Sequence, residues 1–462
     1  DLRMEKAEKK LDVSDMPLYE NETYYIETER NLQWIREMVN SGKDDMKGKE
    51  IVLLEDIVLE DEWIPIGIDS DHPFRGNFNG NNKEISNITI KSLLDKNVGF
   101  FGYIDIEDEC NITDLILKQV DIYLGKMEFA GAIIANLHGT SLRKIEINNC
   151  TVSGKIGIDG GSSNRIEGGI IGKLNLQDQS QLTMKKCTVQ INLVSIGNDS
   201  LGSNATAGGL IGITELSNTA KVQIRRCMVE GEVIARSIMG STAGGLIGKA
   251  TTTGKGTSLL ISQSGFEGSV EAQTTWSGYC DANAGGLIGV NELNIEVREC
   301  LHRGSVFCRS YYAHTGGMIG LVNFDQTSFL TMENILVDSD ITAQGTGGSP
   351  TCGGVLGASN GGKLIDGLIE NAFVTGTMDA RNKAGIINWY AGNKETIVRN
   401  CYFAYKDLGI NKDHVACNLG SFSTNWFHDS IENSYGLTSD EQQNPDSYIG
   451  WDLKRLWNVE DG

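Results

Sequence analysis

The 462-residue sequence predicts an all-β fold, a right-handed single-stranded parallel β-helix (a β-solenoid) with a short N-terminal capping helix. Three observations predict it. A glycine-rich pentamer returns at a near-constant interval, the segments between its copies align as columns of like residues, and Gly is abundant (56 residues) while Pro is rare (5 residues). No single repeat can bury an apolar face alone, so stacked repeats must share one core.

Variants of the pentamer GGLIG mark the repeat. Strong copies end at Gly102, Gly172, Gly212, Gly248, Gly289, Gly320 and Gly357, and weaker copies begin at Ala130 and Ala384. From Gly99 to Gly385, eight steps cover 286 residues, a mean period of about 36. We interpret the pentamer as one strand whose glycines permit close backbone approach.

A column of small residues lies about thirteen residues after each pentamer. Its members are Cys150, Cys187, Cys227, Ser264, Cys300, Ile335, Ala372 and Cys401. The positions three before and two after this column are almost wholly apolar, and a Gly often stands four after, which indicates short strands with period-two alternation. The alternation slips by one residue just before the column and predicts a bend there; the Gly predicts a second bend.

Both ends of an open solenoid expose unpaired strand edges and need a cover. The segment from Thr28 to Gly42 predicts a capping helix, because it opens at Thr28 or Glu29 and carries Leu32, Ile35 and Val39 on one face. The predicted organisation is a tether (1–24), the capping helix with the first coils (25–97), the repeat region (98–435) and a C-terminal cap (436–462) with Trp451 and Trp457.

The pentamer with its spacing resembles the GLUG motif of bacterial surface proteins, which also flanks the catalytic domain of some IgA-cleaving metallopeptidases. The lead-in is similar too, from Tyr25 through WIPIG (63–67) and FRGNFNG (74–80), as is the closing GWDLKRLW (450–457). The resemblance covers about residues 25–462. It implies secretion to a bacterial surface and frequent roles in adhesion, and it transfers no catalytic residue.

Composition and motifs exclude several function classes. With 40 Lys+Arg against 61 Asp+Glu, the formal charge of −21 disfavours nucleic acid or an anionic membrane face as a partner. No apolar run approaches the roughly 18 to 20 residues that span a bilayer. None of the six His is followed by Glu, so the HExxH zinc-peptidase motif is absent. We assign no catalytic residue, metal or cofactor.

Two further columns have alternative interpretations. The ten Cys could form disulfides in an exported protein, but the central column also holds Ser, Ile and Ala, which favours buried free thiols. Three residues beyond the pentamer stand Asp105, Asn175, Glu215, Thr251, Glu292, Asn323 and Asn360. That row could be an acidic or metal-binding site; a polar corner ladder is the favoured interpretation.

The candidate binding residues lie in two consecutive loops that precede a pentamer. They are Trp276 and Tyr279 in one loop and Tyr311, Tyr312 and His314 in the next. Such loops should lie side by side, where aromatic rings stack on sugars or anchor a protein, although they could also merely cover the core edge.

The leading hypothesis is a monomeric, non-enzymatic, adhesin-like module that presents loops to an extracellular glycan or host protein at a bacterial surface. The alternative is a carbohydrate-active β-helix enzyme, a polysaccharide lyase or a glycoside hydrolase, with a groove that spans several coils.

Overall fold

A computed structural model describes residues 11–91, 97–106, 109–123, 129–157, 164–198, 200–323, 328–360, 366–388, 396–416 and 431–453. The chain forms a β-solenoid of about nine turns with a helix near the N-terminus, as the repeat predicted. Within the described ranges, no helix is both long and apolar enough to cross a membrane.

Each complete coil contributes to three parallel sheets. Sheet 1 precedes the corner at the glycine pair and contains Asn97–Val98, Phe129–Gly131, Asn164–Gly168, Asn204–Gly208, Gly240–Gly244, Asp281–Gly285, Tyr312–Gly316, Thr351–Gly353 and Asn382–Ala384. Sheet 2 follows the corner and contains Phe101–Ile106, Ile134–Gly139, Ile171–Leu176, Ile211–Leu216, Ile247–Thr252, Ile288–Asn291, Ile319–Asn323 and Leu356–Asn360.

Sheet 3 carries the cysteine column, and most coils contribute two strand segments to it, whereas Asn294–Ser310 and Phe329–Gly345 each run through as one strand. Its strands are Leu18–Glu20, Thr23–Ile26, Glu50–Leu53, Ile57–Val58, Asn77–Asn79, Glu84–Ser86, Thr89–Ile90, Glu109–Thr113, Ile116–Tyr123, Lys144–Asn148, Thr151–Gly157, Gln181–Lys185, Thr188–Ile196, Lys221–Arg225, Met228–Ser237, Ser258–Ser262, Gly265–Thr274, Asn294–Ser310, Phe329–Gly345, Asp366–Thr375, Met378–Asp379, Thr396–Arg399, Tyr402–Ala404, Ile431–Glu432 and Tyr435–Leu437. The first two pair antiparallel, and the other pairings in this sheet are parallel.

The register places like residues over like, as the aligned columns predicted. Two positions after the cysteine column, Val229, Phe266 and His302 lie directly over one another in successive coils. All three are buried in the single core that runs along the solenoid. Continuous stacking of this kind explains why the repeat is periodic in volume as well as in hydrophobicity.

The bend before the cysteine column is made by one residue in the left-handed region. That residue is Asp114, Asn149, Lys186, Arg226, Gln263, Glu299, Asn334, Asn371, Asn400 or Asn433 in successive coils, with φ between 47° and 59°. A single left-handed residue reverses the alternation, which is the physical cause of the parity slip in the sequence. Among residues with a side chain, Asn and Asp tolerate this conformation best, and they occupy six of these ten places.

The cysteine column itself serves this bend. The thiols of Cys187 and Cys300 donate to the carbonyl oxygens two residues earlier, at 3.5 Å and 3.2 Å, and the Ser264 hydroxyl makes the same bond at 2.8 Å. Thiol and hydroxyl are therefore interchangeable here. The nine Cys that the structure describes are buried and free, which confirms the free-thiol prediction; Cys417 lies outside the described residues.

The second predicted bend is confirmed at Gly154, Gly231, Gly268, Gly304 and Gly376, whose φ values lie between 103° and 146°. Neighbouring coils touch backbone to backbone at this bend. A Cβ added to Gly304 would lie 1.9 Å from the Gly268 carbonyl oxygen. Other coils manage without glycine, since Val120, Ile191 and Ser339 stand at the same position and have no positive φ.

The interpretation of the pentamer as one strand is wrong. Its first glycine ends a sheet 1 strand at Gly168, and the next strand begins at Ile171, so the pentamer straddles a corner. The corner is tight: a Cβ on Gly168 would lie 1.8 Å from the Ile171 carbonyl oxygen. A Cβ on the second glycine would strike the column two after the cysteine, at 2.4 Å for Gly245 and Phe266. The first glycine is thus required by the tight corner, and the second is required because the core side chain next to it leaves no space for a Cβ.

The N-terminal helix, α1, spans Glu29–Asn40 and confirms the predicted cap. Thr28 and Asn31 form its capping box, and Leu32, Ile35 and Val39 are buried. Ordered structure begins before residue 25, within the segment predicted as a tether, because Asp15 pairs with Arg30 at 2.9 Å. That ion pair anchors the 3₁₀ turn Val13–Asp15 to α1.

The C-terminal segment carries a short helix, α2 (Ser439–Gln442), and the 3₁₀ turn Pro445–Ser447. The Trp451 indole nitrogen donates to the Asn400 carbonyl at 2.8 Å, and its ring lies 5.4 Å from that of Tyr448 and 6.3 Å from that of Tyr402. These contacts place Trp451 against the last described coils. Trp457 lies outside the described residues.

Candidate functional site: tyrosines on two neighbouring coils

The candidate site lies where the chain leaves sheet 3 and enters sheet 1. In three consecutive coils this connection is 275–280, then the single residue Tyr311, then 346–350. The first two connections lie side by side, as predicted, because the Tyr312 amide donates to the Cys280 carbonyl at 3.0 Å.

Three tyrosine rings form a continuous surface here, which we call the tyrosine surface (Tyr279, Tyr311 and Tyr312). The Tyr279 ring centroid lies 4.8 Å from that of Tyr311 and 6.3 Å from that of Tyr312. Tyr311 and Tyr312 meet edge to face at 4.7 Å. Tyr279 is 73% exposed, so one aromatic face is open to solvent.

The other two predicted residues do not share this arrangement. Trp276 is 38% exposed, and its ring folds over Gly278 of its own loop, where an added Cβ would lie 2.6 Å from it. His314 is 5% exposed, and its Nδ1 lies 2.9 Å from the Thr351 hydroxyl. Burial lowers the pKa of His314 to about 4. Its side chain therefore does not contribute to the exposed surface.

A third loop completes the site, and sequence reasoning missed it. The Gly348 amide donates to the Tyr311 carbonyl at 3.0 Å, and a Cβ on Gly347 would lie 2.3 Å from the Tyr311 ring. Bare backbone thus packs directly against the tyrosine. The signal was present in the sequence as the Gly-Gly pair 347–348, in the same connection one coil further along.

Buried polar side chains fix the loops from below. The Thr274 hydroxyl lies 2.7 Å from the Ser310 hydroxyl and 3.0 Å from the Cys280 sulfur. Cys280 also donates to the Trp276 carbonyl at 3.3 Å, and Ser310 donates to the Cys280 carbonyl at 2.9 Å. This network explains the position of Cys280, which the repeat alone did not assign, and it holds the tyrosine surface on a rigid base.

A carboxyl group borders the tyrosine surface. Asp281 begins the strand beside Tyr312, with which it is in direct register. Desolvation raises the pKa of Asp281. Desolvation, followed by the neighbouring Tyr279 and Tyr312 and a hydrogen bond with Tyr279, also raises the pKa of the Tyr311 phenol, which stays protonated at neutral pH.

The polar row beyond the pentamer is engaged in side-chain contacts along the stack. His138 lies 3.0 Å from Asp105, and Lys173 pairs with Glu215 at 3.0 Å. Among the residues described, no group of three or more His, Cys, Asp and Glu is arranged to hold a metal ion. These contacts favour a ladder that stabilises the corner.

Comparisons with known proteins are sparse. No family model matches the chain, and no curated protein matches it. Among solved structures, the chain is similar to the crystal structure of a "putative immunoglobulin A1 protease" from Bacteroides ovatus, with 14% identity, a TM-score of 0.41, and coverage of 93% of this chain and 88% of that one. A likeness at this level carries no argument about function.

Proposed function

We propose that this protein is a non-enzymatic module of a bacterial cell surface, adhesin-like, whose solenoid presents the tyrosine surface to a glycan or host protein. The exposure of Tyr279 beside two further tyrosines carries the proposal. Exposed aromatic side chains on a rigid base are typical of recognition sites, because large rings add contact area at a low cost in conformational entropy.

The secreted, cell-surface location belongs to the same proposal. It rests on the resemblance of the pentamer, the WIPIG and FRGNFNG lead-in and the closing segment to GLUG-motif surface proteins. The solenoid is compatible with that role, since such a scaffold tolerates loops of variable length at one corner while its columns maintain the stack.

A paired binding screen tests the proposal. The intact chain and a Tyr279→Ala/Tyr311→Ala double variant are applied to a glycan array and to a panel of immobilised extracellular host proteins. We expect wild-type signal on at least one surface and its loss in the double variant. Equal signals from the two proteins, or no signal anywhere, would contradict the proposal.

The matched control is Tyr123→Ala. Tyr123 is also an exposed tyrosine (49%), and it lies four coils before the candidate site, about 19 Å along the stack at about 4.8 Å per coil. We expect this variant to bind like wild type. Shortening of a bound polysaccharide during the assay would instead support the alternative of a carbohydrate-active enzyme.

A further inference from the structure

The packing of the tyrosine surface decides what shape of ligand it can accept. An aromatic cage for a cation needs rings that stand apart, so that the cation lies within about 6 Å of several ring centroids at once. Here Tyr279, Tyr311 and Tyr312 pack against one another, with two centroid separations of 4.8 Å and 4.7 Å. No space remains between these rings. Ligand contact therefore falls on the outer, exposed face of Tyr279.

The border of the tyrosine surface supplies polar groups without adding bulk. On one side, Asp281 lies in register with Tyr312 at the strand start. On another side, Gly347 and Gly348 contribute backbone without side chains against Tyr311 and Tyr312. A flat aromatic face with hydrogen-bonding groups at its edge matches a sugar ring, which has an apolar C–H face and a rim of hydroxyls.

The negative charge of the protein favours uncharged saccharides over anionic ones. The chain carries a formal charge of −21, and one of its carboxyl groups belongs to Asp281, in register with Tyr312 on the neighbouring strand. An anionic saccharide would bring a like charge to this edge and would meet repulsion from the protein as a whole. An uncharged saccharide meets neither penalty, and its hydroxyls can donate to the carboxyl oxygens.

We propose that the tyrosine surface binds an uncharged oligosaccharide, with one sugar ring stacked on Tyr279 and its hydroxyls hydrogen-bonded to Asp281 and the Tyr311 phenol. This inference rests on the proposed function and names the ligand class of the same site. Tyr279 is the residue that makes the stacking contact, and Asp281 positions the sugar through its hydroxyl rim.

The test compares three probes on the intact chain by titration calorimetry or ligand-observed NMR. The probes are a panel of neutral oligosaccharides of glucose, galactose, mannose and N-acetylglucosamine, the sialylated counterparts of the same cores, and choline. We expect at least one neutral oligosaccharide to bind. The sialylated counterpart should bind no more tightly than its neutral core, and choline should not compete.

Variants separate stacking from general surface effects. Tyr279→Ala should weaken binding about tenfold, the loss of roughly one ring contact. Tyr279→Phe should stay within about threefold of wild type, because the stacking face remains, whereas Asp281→Asn should lose several-fold. Tyr123→Ala should bind as wild type does. Unchanged thermal unfolding of each variant shows that the fold is intact, which the exposure of Tyr279 leads us to expect.

Some outcomes would overturn only the neutral-sugar assignment, and others would also overturn the proposed function. Tyr279-dependent binding that is tighter for the sialylated probes, or competition by choline, overturns the neutral-sugar assignment, as does failure of every neutral probe. If an immobilised host protein still binds through the tyrosine surface in that last case, the surface-module proposal stands and this inference alone falls. If the protein panel and glycan array are silent too, both fall.

Discussion

The two bends on either side of the cysteine column both change the direction of the chain, but they do so in different ways. The first bend uses a left-handed residue whose side chain points outward, and Asn149, Lys186 and Glu299 all serve there. The second uses glycine with backbone of the adjacent coil directly against it, at 1.9 Å from an added Cβ in Gly268 and Gly304. The residue at the first bend is thus restricted by its backbone conformation, whereas the residue at the second bend is restricted by the space that the adjacent coil leaves for a side chain.

This difference explains the sequence variation of the repeat. A conformational penalty is small, about 1–2 kcal/mol per residue, and a chain can carry it several times. Overlap of a side chain with a neighbouring peptide group cannot be relieved without moving a whole coil. From Gly154 onward the second bend therefore keeps glycine wherever φ is positive, whereas Asn87 and Gln119 take a positive φ there in the two preceding coils. The first bend accepts five residue types besides Asn.

The largest expected effect concerns the second bend. Gly304→Ala should destabilise the protein by at least about 4 kcal/mol, because the methyl group combines a positive φ with contact against the Gly268 peptide. Chemical denaturation followed by circular dichroism measures the change.

Its matched control lies one coil further on. Ser339 pairs with Gly304 but has no positive φ, and its buried hydroxyl has no hydrogen-bond partner among the described residues. Ser339→Ala should therefore be neutral or slightly stabilising. Similar losses in both variants would show that space at this bend is not the deciding factor.

The next effect concerns the core column between the two bends, where His302 lies over Phe266 with ring centroids 5.7 Å apart. Burial lowers the pKa of His302 from 6.5 to about 4. The unfolded chain takes up a proton below about pH 6.5 and the folded chain does not, so stability falls as pH drops from about 6.5 toward 4. The full loss is roughly 3 kcal/mol.

His302→Phe should remove that part of the pH dependence and leave stability near pH 7.5 almost unchanged. Urea midpoints between pH 7.5 and 4.5 measure the slope, and His72→Gln, at a partly exposed histidine, is the control. His314, whose pKa burial also lowers to about 4, retains its own contribution in both variants. A slope identical to wild type in His302→Phe would rule out this account.

The next prediction concerns the first bend, where we expect a smaller change, an increase in stability. Lys186 has φ 54°, and Lys186→Asn should stabilise the protein by about 1 kcal/mol, because Asn is better tolerated in this conformation and lies beside Asn149 of the preceding coil. Lys185→Asn is the control, since Lys185 is an ordinary strand residue that pairs with Glu146 at 2.8 Å. It should be neutral or destabilising. A loss in Lys186→Asn would contradict the conformational explanation.

The smallest effect concerns the hydrogen bond that supports the first bend. Cys300→Ser should retain stability, because a hydroxyl already makes this bond at Ser264, whereas Cys300→Ala should lose about 0.5–1 kcal/mol. Melting curves of the two variants are compared directly. Equal stability of Ser and Ala at this position would mean that the column is selected for volume alone.

Most of the scaffold could be predicted from the sequence, because equivalent positions in successive repeats are in contact with one another. Once coils stack in register, a column such as Val229, Phe266 and His302 is a list of neighbours in space, and the parity slip before Cys227 marks a bend. The helix Glu29–Asn40 was predictable for a local reason, since Thr28 and its buried face signal it without reference to the rest of the chain.

The site was less predictable. Sequence placed Tyr279 and Tyr311 in adjacent loops, but it could not separate them from His314, whose ring is buried against Thr351, or from Trp276, which folds onto Gly278. It also missed Gly347, because the Gly-Gly pair 347–348 marks a position without side chains but does not indicate which residue packs against it. Side-chain direction at a loop depends on the neighbouring coils, which alternation within one strand does not encode.

The sequence by itself therefore determined the solenoid, its period, the two bends on either side of the cysteine column and the residues of its core, because parallel stacking turns regular spacing into contact. Tertiary structure decided that the pentamer joins two strands across a corner and that its second glycine leaves room for the column of Phe266. It also decided which aromatic rings are exposed together. Those outcomes depend on distances of a few ångströms between coils, and no spacing along a single chain specifies them.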